Sequence, residues 1–196
     1  MKILTFSDIH GSMSAMKIIE EKAKKSDILV CAGDISIFEQ DLEKLLKRLD
    51  KFGKPVLIIP GNHETERTLE KFCSKFKNLY YIHKKIHKVG DYRFLGYGGG
   101  GFSLEDPEFD KVAKKFEKEI EKHHKVILIT HAPPHKTKLD QIGKDHHGNK
   151  TIRKFIENIE VDLAVGGHLH EASGAQDMIK KTKLINPGPH GKIIEL

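Results

Sequence analysis

The sequence predicts an α/β sandwich in which parallel strands come first and hairpin strands follow. Short apolar runs bounded by polar, Gly or Pro residues predict buried strands, and apolar residues at helical spacing lie between several of them. Two segments, residues 79–97 and 177–195, carry strand and turn patterns with no room for helices. Alternating strands and helices favour a parallel sheet, and the two later segments add hairpins.

Five apolar runs predict the buried strands. They are Ile3–Phe6, Ile28–Cys31, Val56–Ile59, Val126–Ile129 and Leu163–Val165. Three apolar stripes predict helices between strands: Phe38, Leu42, Leu45, Leu46 and Leu49; Val112, Phe116 and Ile120; and Ile152, Phe155, Ile156 and Ile159. Asp106-Pro107 adds a cap and first-turn signal before the second of these helices. The run Gly96–Gly101 predicts a flexible or tightly bent loop and not a phosphate-binding loop, because no helix start follows at the distance that a phosphate-binding loop needs.

Length and composition narrow the class of protein. The 196 residues contain no linker and no charge block, which predicts a single domain over residues 1–196. No apolar run approaches the roughly 18 residues of a membrane span, and the opening MKILTFSDIHG leaves no room for a signal peptide. The only cysteines, Cys31 and Cys73, predict free thiols and a cytoplasmic location. The net charge is +6, but four of 34 basic residues are arginine, so a dedicated nucleic-acid reader is not expected.

Residues of the metal-ligand type follow every predicted buried strand. In chain order they are Asp8 and His10; Asp34; Asn62, with His63 beside it; His131; and His168 with His170. The carboxyl ends of strands in an α/β sheet meet at one edge, so these side chains are expected to converge. A His-x-His pair alone is typical of a solvated loop, but five successive strand ends of this kind predict a shared site.

The number of these residues predicts two metal ions. Seven mixed oxygen and nitrogen ligands exceed what one ion takes while leaving positions for water and substrate. Asp8 and His10 are expected to bind one ion together, since residues i and i+2 of an extended segment point the same way. Asp34 is the expected bridge, and His168 and His170 could serve one ion each. This ligand set suits Mn²⁺, Fe²⁺, Ni²⁺, Co²⁺ or Zn²⁺, with Mn²⁺ favoured for assays.

The blocks DIHG, GD, GNHE, TH and GGHLH occur in this order and resemble the calcineurin-like metallophosphoesterase superfamily. The resemblance implies an α/β/β/α double-sheet sandwich with a dinuclear centre at the carboxyl ends of the strands. It also implies two ligand sets that share Asp34: Asp8, His10, Asp34 and His170 for one metal, and Asp34, Asn62, His131 and His168 for the other. In the same comparison His63 resembles the catalytic histidine that is not a ligand.

Departures from the family pattern indicate the subfamily. The second block continues as GDISIF where phosphoprotein phosphatases carry an arginine, so phosphoprotein phosphatase activity is not expected. One group of small phosphodiesterases carries Cys at the position of His63. The segment from His131 to Glu157, followed by GGHLHEASG and INPGP, is most similar to the Icc-related predicted phosphoesterases. The repair nucleases of the superfamily usually add a capping domain, for which no residues are expected here.

These observations predict a cytoplasmic, metal-dependent phosphodiesterase acting on a small-molecule or cyclic-nucleotide phosphoester. His63 is expected to protonate the leaving alkoxide, and Glu64 is one carboxylate that could support its protonated form. The alternatives are a nuclease, for which nucleic acid is the substrate, and a scaffold without catalysis. No membrane partner is expected. The sequence leaves open the natural substrate, the cellular metal, the oligomeric state, and whether His135, His146, His147 or His190 contacts substrate.

Overall fold

A computed structural model describes all residues, 1–196, and contains two main β-sheets. The first sheet has the strand order β13-β1-β2-β3-β4. Its strands are β1 (Lys2–Phe6), β2 (Ile28–Cys31), β3 (Val56–Ile58), β4 (Leu79–Tyr81) and β13 (Lys192–Glu195). The strands β1 to β4 are parallel, and β13 pairs antiparallel with β1. The first three predicted strands are therefore confirmed and lie side by side.

The second sheet has the order β11-β12-β10-β7-β6-β5. Its strands are β5 (Lys85–Val89), β6 (Tyr92–Tyr97), β7 (Lys125–Thr130), β10 (Leu163–Val165), β11 (Gln176–Ile179) and β12 (Thr182–Ile185). A small hairpin of β8 (Gln141–Ile142) and β9 (Asp145–His146) lies apart from both sheets. The hairpins β5-β6 and β11-β12 are confirmed, but β6, β7, β10 and β12 are parallel to one another, so parallel pairing continues late in the chain.

Five α-helices cover the outer faces of the two sheets. They are α1 (Met13–Ala23), α2 (Leu42–Asp50), α3 (Glu66–Cys73), α4 (Pro107–Glu117) and α5 (Lys150–Asn158). The first three share a core with the first sheet, and α4 and α5 share a core with the second. Asp106 caps α4 as predicted, accepting hydrogen bonds from the backbone N–H groups of Glu108 and Phe109.

The helix predictions need three corrections. The helices α1 and α3 were not predicted. Phe38 was assigned to the stripe of α2 but lies in the preceding loop with φ 47° and 76% exposed, because α2 begins only at Leu42. Ile120 and Ile159 lie just beyond the ends of α4 and α5.

A third core joins the two sheets face to face. It contains Ile3, Val30 and Leu57 of the first sheet together with Ile127 and Val165 of the second, all buried. The order of layers is therefore helix, sheet, sheet, helix, which confirms the predicted α/β/β/α sandwich. No helix is both long and apolar enough to cross a bilayer. The apolar cores hold the strands rigidly, and the loops at their carboxyl ends form one edge of the sandwich.

Candidate metal centre

The seven residues predicted as ligands lie together at this edge. On one side, Nε2 of His10 is 3.0 Å from Nε2 of His170 and 3.7 Å from Oδ2 of Asp34. Nε2 of His170 is also 3.8 Å from Oδ1 of Asp8. Asp8, His10 and His170 thus form one group of donor atoms, and Asp34 stands at its border.

A second group lies on the other side of Asp34. The side-chain oxygen of Asn62 is 3.0 Å from Nε2 of His131 and 2.9 Å from Nδ1 of His168. Nε2 of His131 is 3.4 Å from Oδ2 of Asp34. The same carboxylate oxygen therefore faces both groups, through His10 on one side and His131 on the other.

Four of these residues have left-handed backbone conformations that residues other than glycine rarely adopt. The φ angles are 56° at Asp8, 46° at His10, 55° at Asp34 and 70° at His168. The segment from Asp8 to His10 is not extended, so the predicted reason for its two side chains converging is wrong. They converge because the loop after β1 bonds to the loop after β2, from Asp8 N to the Gly33 carbonyl and from His10 N to the Asp34 carbonyl. Strained backbone of this kind concentrates at functional sites.

The donor atoms themselves fit a cation. Nδ1 of His131 donates to the carbonyl of Ala32 at 2.7 Å, so in the neutral ring Nε2 carries a lone pair directed at the Asn62 and Asp34 oxygens. Three lone pairs that converge in a buried space repel one another unless a positive charge lies among them. Burial opposes protonation of His131, but Asp34 outweighs burial and raises the pKa of His131.

The protonation states of two further residues suit metal binding. Burial raises the pKa of Asp34, but its interactions with His131 and with the backbone of His63 outweigh this and lower it to about 2. Burial and the neighbouring His131 lower the pKa of His168 to about 4. Near neutral pH, Asp34 is therefore a carboxylate and His168 a neutral imidazole, which are the forms that bind metals.

His63 lies beside the two groups and presents a proton to them. The backbone N–H of Phe38 donates to Nδ1 of His63 at 3.3 Å, so the proton of the neutral ring is on Nε2. Nε2 is 4.0 Å from Oδ2 of Asp34, and the ring packs edge-on against His10 at 4.8 Å. The adjacent Asn62 faces His131 and His168 instead, so the two neighbours point to different sides of the site.

The histidines considered as substrate contacts take different positions. His135 and His146 lie against Asp140, which Nδ1 of His146 approaches to 2.7 Å. The ring of His147 is 6.1 Å from the ring of Phe102. His190 lies on an exposed loop, where its carbonyl accepts a hydrogen bond from Lys22. Phe102 packs edge-on against His168 and helps line a cleft of about 270 Å³ above Asp34, Asn62 and His63.

Comparison with known proteins agrees with this arrangement. The family model for calcineurin-like phosphoesterases matches residues 1–172. The chain belongs to the calcineurin-like phosphoesterase family. An uncharacterized protein of Methanocaldococcus jannaschii is 31% identical over 96% of this chain and 88% of its own length. The symmetrical bis(5'-nucleosyl)-tetraphosphatase of Buchnera aphidicola is 31% identical over 62% of this chain and 52% of its own length.

A solved structure gives the same result for the fold. A protein of Thermus thermophilus superposes with a TM-score of 0.76 at 16% identity, over 95% of this chain and 88% of that one. The likeness shows a shared fold. The closer similarity to the Icc-related predicted phosphoesterases stays a prediction.

Glu64 holds the loops of this calcineurin-like site together, a role that sequence reasoning missed. Its buried carboxylate accepts hydrogen bonds from the backbone N–H groups of Asp34, Ser36 and Gly61, and from the Ser36 hydroxyl, at 2.8–3.2 Å. Glu64 therefore ties the loop after β2 to the loop after β3 and does not contact the ring of His63. The sequence signal for this role was the position of Glu64 directly after Asn62 and His63. That position was interpreted as making Glu64 a partner for the imidazole of His63.

Glycines let the same two loops approach closely. A Cβ on Gly61 would lie 1.9 Å from Oδ1 of Asp34, and a Cβ on Gly33 would lie 2.6 Å from the backbone of Gly61 and 2.8 Å from Nδ1 of His131. Gly33 also has φ 96°, a conformation that favours glycine. The family blocks GD and GNHE thus need their glycines to bring Asp34 beside Asn62.

We expect Glu64→Gln to lower the free energy of unfolding by roughly 2 kcal/mol, because the new NH₂ group would face backbone donors and leave them unpaired. Urea denaturation followed by circular dichroism measures the change. The control is Glu43→Gln, whose half-exposed side chain meets only Lys75 and should change stability by less than about 0.5 kcal/mol. Equal effects of the two variants would show that Glu64 does not hold the loops together.

Proposed function

We propose that the chain is a metal-dependent phosphodiesterase that uses two divalent transition-metal ions. The observation that carries the proposal is the position of Asp34, whose Oδ2 faces His10 at 3.7 Å and His131 at 3.4 Å. A carboxylate between two groups of donor atoms suits a bridging ligand. Membership of the calcineurin-like phosphoesterase family supports a phosphoester substrate.

The two groups of donor atoms support two ligand sets. Asp8, His10, Asp34 and His170 would hold one ion, and Asp34, Asn62, His131 and His168 the other. Mixed carboxylate, amide and imidazole ligands suit Mn²⁺, Fe²⁺, Ni²⁺, Co²⁺ or Zn²⁺, and Mn²⁺ is the ion we propose for assays. Bound divalent ions would neutralise the charge of a phosphate group and make water more acidic.

The residues of the chain perform the remaining steps. Nε2 of His63 lies 4.0 Å from Oδ2 of Asp34, so a protonated His63 ring would reach from Nε2 to an oxygen that leaves a phosphate held there, and would become neutral on donating its proton. The ligand loops hold the phosphate group in one orientation, since Glu64 fixes them to each other. The cleft beside Phe102 gives the substrate a route to the site.

Several observations favour a small phosphodiester over other substrates. The arginine that phosphoprotein phosphatases carry after the second block is absent, and the relative in Buchnera aphidicola is named for a nucleotide substrate. We also propose that residues 1–196 form one domain, which the shared core between the sheets supports. The buried, unpaired Cys31 and Cys73 support a reducing, cytoplasmic location.

The first prediction concerns metal content. Protein reloaded with Mn²⁺ and freed of excess metal by gel filtration should contain about two ions per chain by elemental analysis. Asp34→Asn should retain fewer than one and lose more turnover than His170→Ala, because the bridging charge holds both ions. The exposed Asp110→Asn is the control and should bind two. One ion per fully active wild-type chain would overturn the bridged centre.

The second prediction concerns the substrate class. With Mn²⁺, kcat/KM for bis(p-nitrophenyl) phosphate should exceed that for p-nitrophenyl phosphate by roughly tenfold, about 1.4 kcal/mol, and phosphoserine peptides should be hardly cleaved. A strong preference for the monoester would contradict the proposal. Faster cleavage of single-stranded DNA, with affinity falling steeply as salt rises, would identify a nuclease instead.

The third prediction concerns the proton on His63. His63→Ala should lose about 10²- to 10⁴-fold in kcat on a diester with an alkoxide leaving group, and far less on one that releases p-nitrophenolate, which needs no proton. Metal content should be unchanged. The surface variant His123→Ala, 60% exposed in its side chain, should match wild type on both substrates. Equal losses on both would mean that His63 binds the phosphate or orients the nucleophile.

A further inference from the structure

A groove outside the cleft reaches the centre from the side of His10. It has a volume of about 390 Å³ and is lined by residues that include His10, Met13, Ile37, Gln40, Lys44 and Arg48. The ring of His10 packs against both His63 and His170, so the groove opens directly onto the proposed metal site. None of the proposed chemistry uses this groove.

The loop from Ile37 to Asp41 contributes Ile37, Gln40 and Asp41 to the wall of the groove and is strained. Phe38, Glu39 and Asp41 have φ angles of 47°, 64° and 52°, which is costly for residues with side chains. Glu39 anchors the loop by accepting hydrogen bonds at 2.8 Å from the backbone and hydroxyl groups of Thr65. The loop is thus held in an unfavourable conformation by contacts made elsewhere.

The result of this conformation is an exposed aromatic ring beside His63. The ring of Phe38 lies 4.4 Å from the ring of His63, yet the residue is 76% exposed, so a large part of the ring is free. The backbone N–H of the same residue fixes the proton of His63 on Nε2. A leaving group whose oxygen lies beside Nε2 of His63 would therefore be close to the ring of Phe38.

The charges in the groove indicate which kind of group fits it. Lys44 pairs with Asp41 at 2.6 Å, and Arg48 pairs with Glu20 at 3.0 Å, so the cations are already neutralised. Met13 and Ile37 are exposed apolar side chains, at 52% and 46%. An uncharged group with an apolar face and polar edges matches these walls better than a second phosphate does.

We propose that the leaving group of the substrate lies beside His63 at the edge of this groove, and that it is a nucleoside whose base stacks on the exposed ring of Phe38. The inference rests on the proposed phosphodiesterase function. Water adds its oxygen to phosphorus, the bond from phosphorus to the nucleoside oxygen breaks, and the nucleoside oxygen takes a proton from the protonated ring of His63. The proton that the attacking water gives up restores the protonated ring, so His63 is unchanged after the reaction. The products are the free nucleoside and the remaining phosphomonoester.

Two matched diesters test the role of the base. One is methyl adenosine-5'-yl phosphate, and the other replaces adenosine by 1-O-methylribose, which has no base. With Mn²⁺, the adenosine diester should have the higher kcat/KM by roughly tenfold, as base–aromatic stacking provides. Chromatography should find adenosine and methyl phosphate as products. Release of methanol and adenosine monophosphate, or equal rates for the two diesters, would overturn the inference.

Variants of Phe38 test the stacking itself. Phe38→Ala should bring the ratio of the two kcat/KM values close to one, and Phe38→Tyr, which keeps the ring, should preserve it. A general loss of catalysis lowers both kcat/KM values equally and leaves their ratio unchanged. Met178→Ala removes a 57% exposed apolar side chain on β11, outside the groove, and should keep the wild-type ratio. An unchanged ratio in Phe38→Ala would exclude Phe38 as the stacking residue.

A binding measurement separates this inference from the proposed function. Adenosine added to metal-free protein should shift the aromatic NMR signals that disappear in Phe38→Ala, and ribose should not. If the Mn²⁺-loaded enzyme cleaves neither diester nor bis(p-nitrophenyl) phosphate, the proposed function fails. If it cleaves both matched diesters equally and adenosine shifts no Phe38 signal, the function stands and the nucleoside groove is refuted.

Discussion

The buried carboxylate of Asp34 is the constraint around which the site is built. A charge in a low-dielectric interior is costly unless partners surround it, and Asp34, 2% exposed, has the His63 backbone at 3.0 Å and imidazole nitrogens of His10 and His131 on two sides. Nε2 of His10 in turn faces Nε2 of His170, and Nε2 of His131 faces the side-chain oxygen of Asn62. The whole group is stable only when positive charge lies inside it, and a protein that keeps so many donor atoms together is organised to receive cations.

The backbone conformations that hold these residues together lower the stability of the protein, and the apolar cores of the sandwich offset this cost. The left-handed conformations of Asp8, His10, Asp34 and His168 each cost of the order of 1–3 kcal/mol. The backbone N–H groups of the two central loops point at Glu64, so one carboxylate replaces the hydrogen bonds that a regular strand would have made. Three apolar cores, one between the sheets and one under each helical layer, allow the loops at one edge to be strained.

The sequence predicted the sandwich and the convergence of the site residues because both depend on simple periodic signals. Short apolar runs such as Ile28–Cys31, bounded by polar or glycine residues, favour buried strands, and the residues directly after each run then lie at the edge of the sheet. The helix α3 was missed since its buried face is small, with only Leu69 and Cys73 buried. The helix α1 was missed because two of its four buried residues are alanines, which give a weak apolar stripe. Phe38 was misplaced because its apolar character fits a helical stripe, whereas the left-handed loop is set by tertiary contacts such as Glu39 with Thr65.

The positions of Asp34 and Phe38 have different physical origins. The position of Asp34 follows from strand order and from two glycines, Gly33 and Gly61, which any chain with this chemistry needs. The metal-ligand geometry does not require the strained conformation of Phe38. The hydrogen bond to His63 comes from the backbone N–H of Phe38, so a residue with a smaller side chain could also form it. An exposed aromatic ring contributes little to folding, and the backbone strain that places it opposes folding. If a nucleoside base stacks on Phe38 as proposed, binding explains a residue that costs stability and adds no core contact, and substrate choice would depend on the loop after β2.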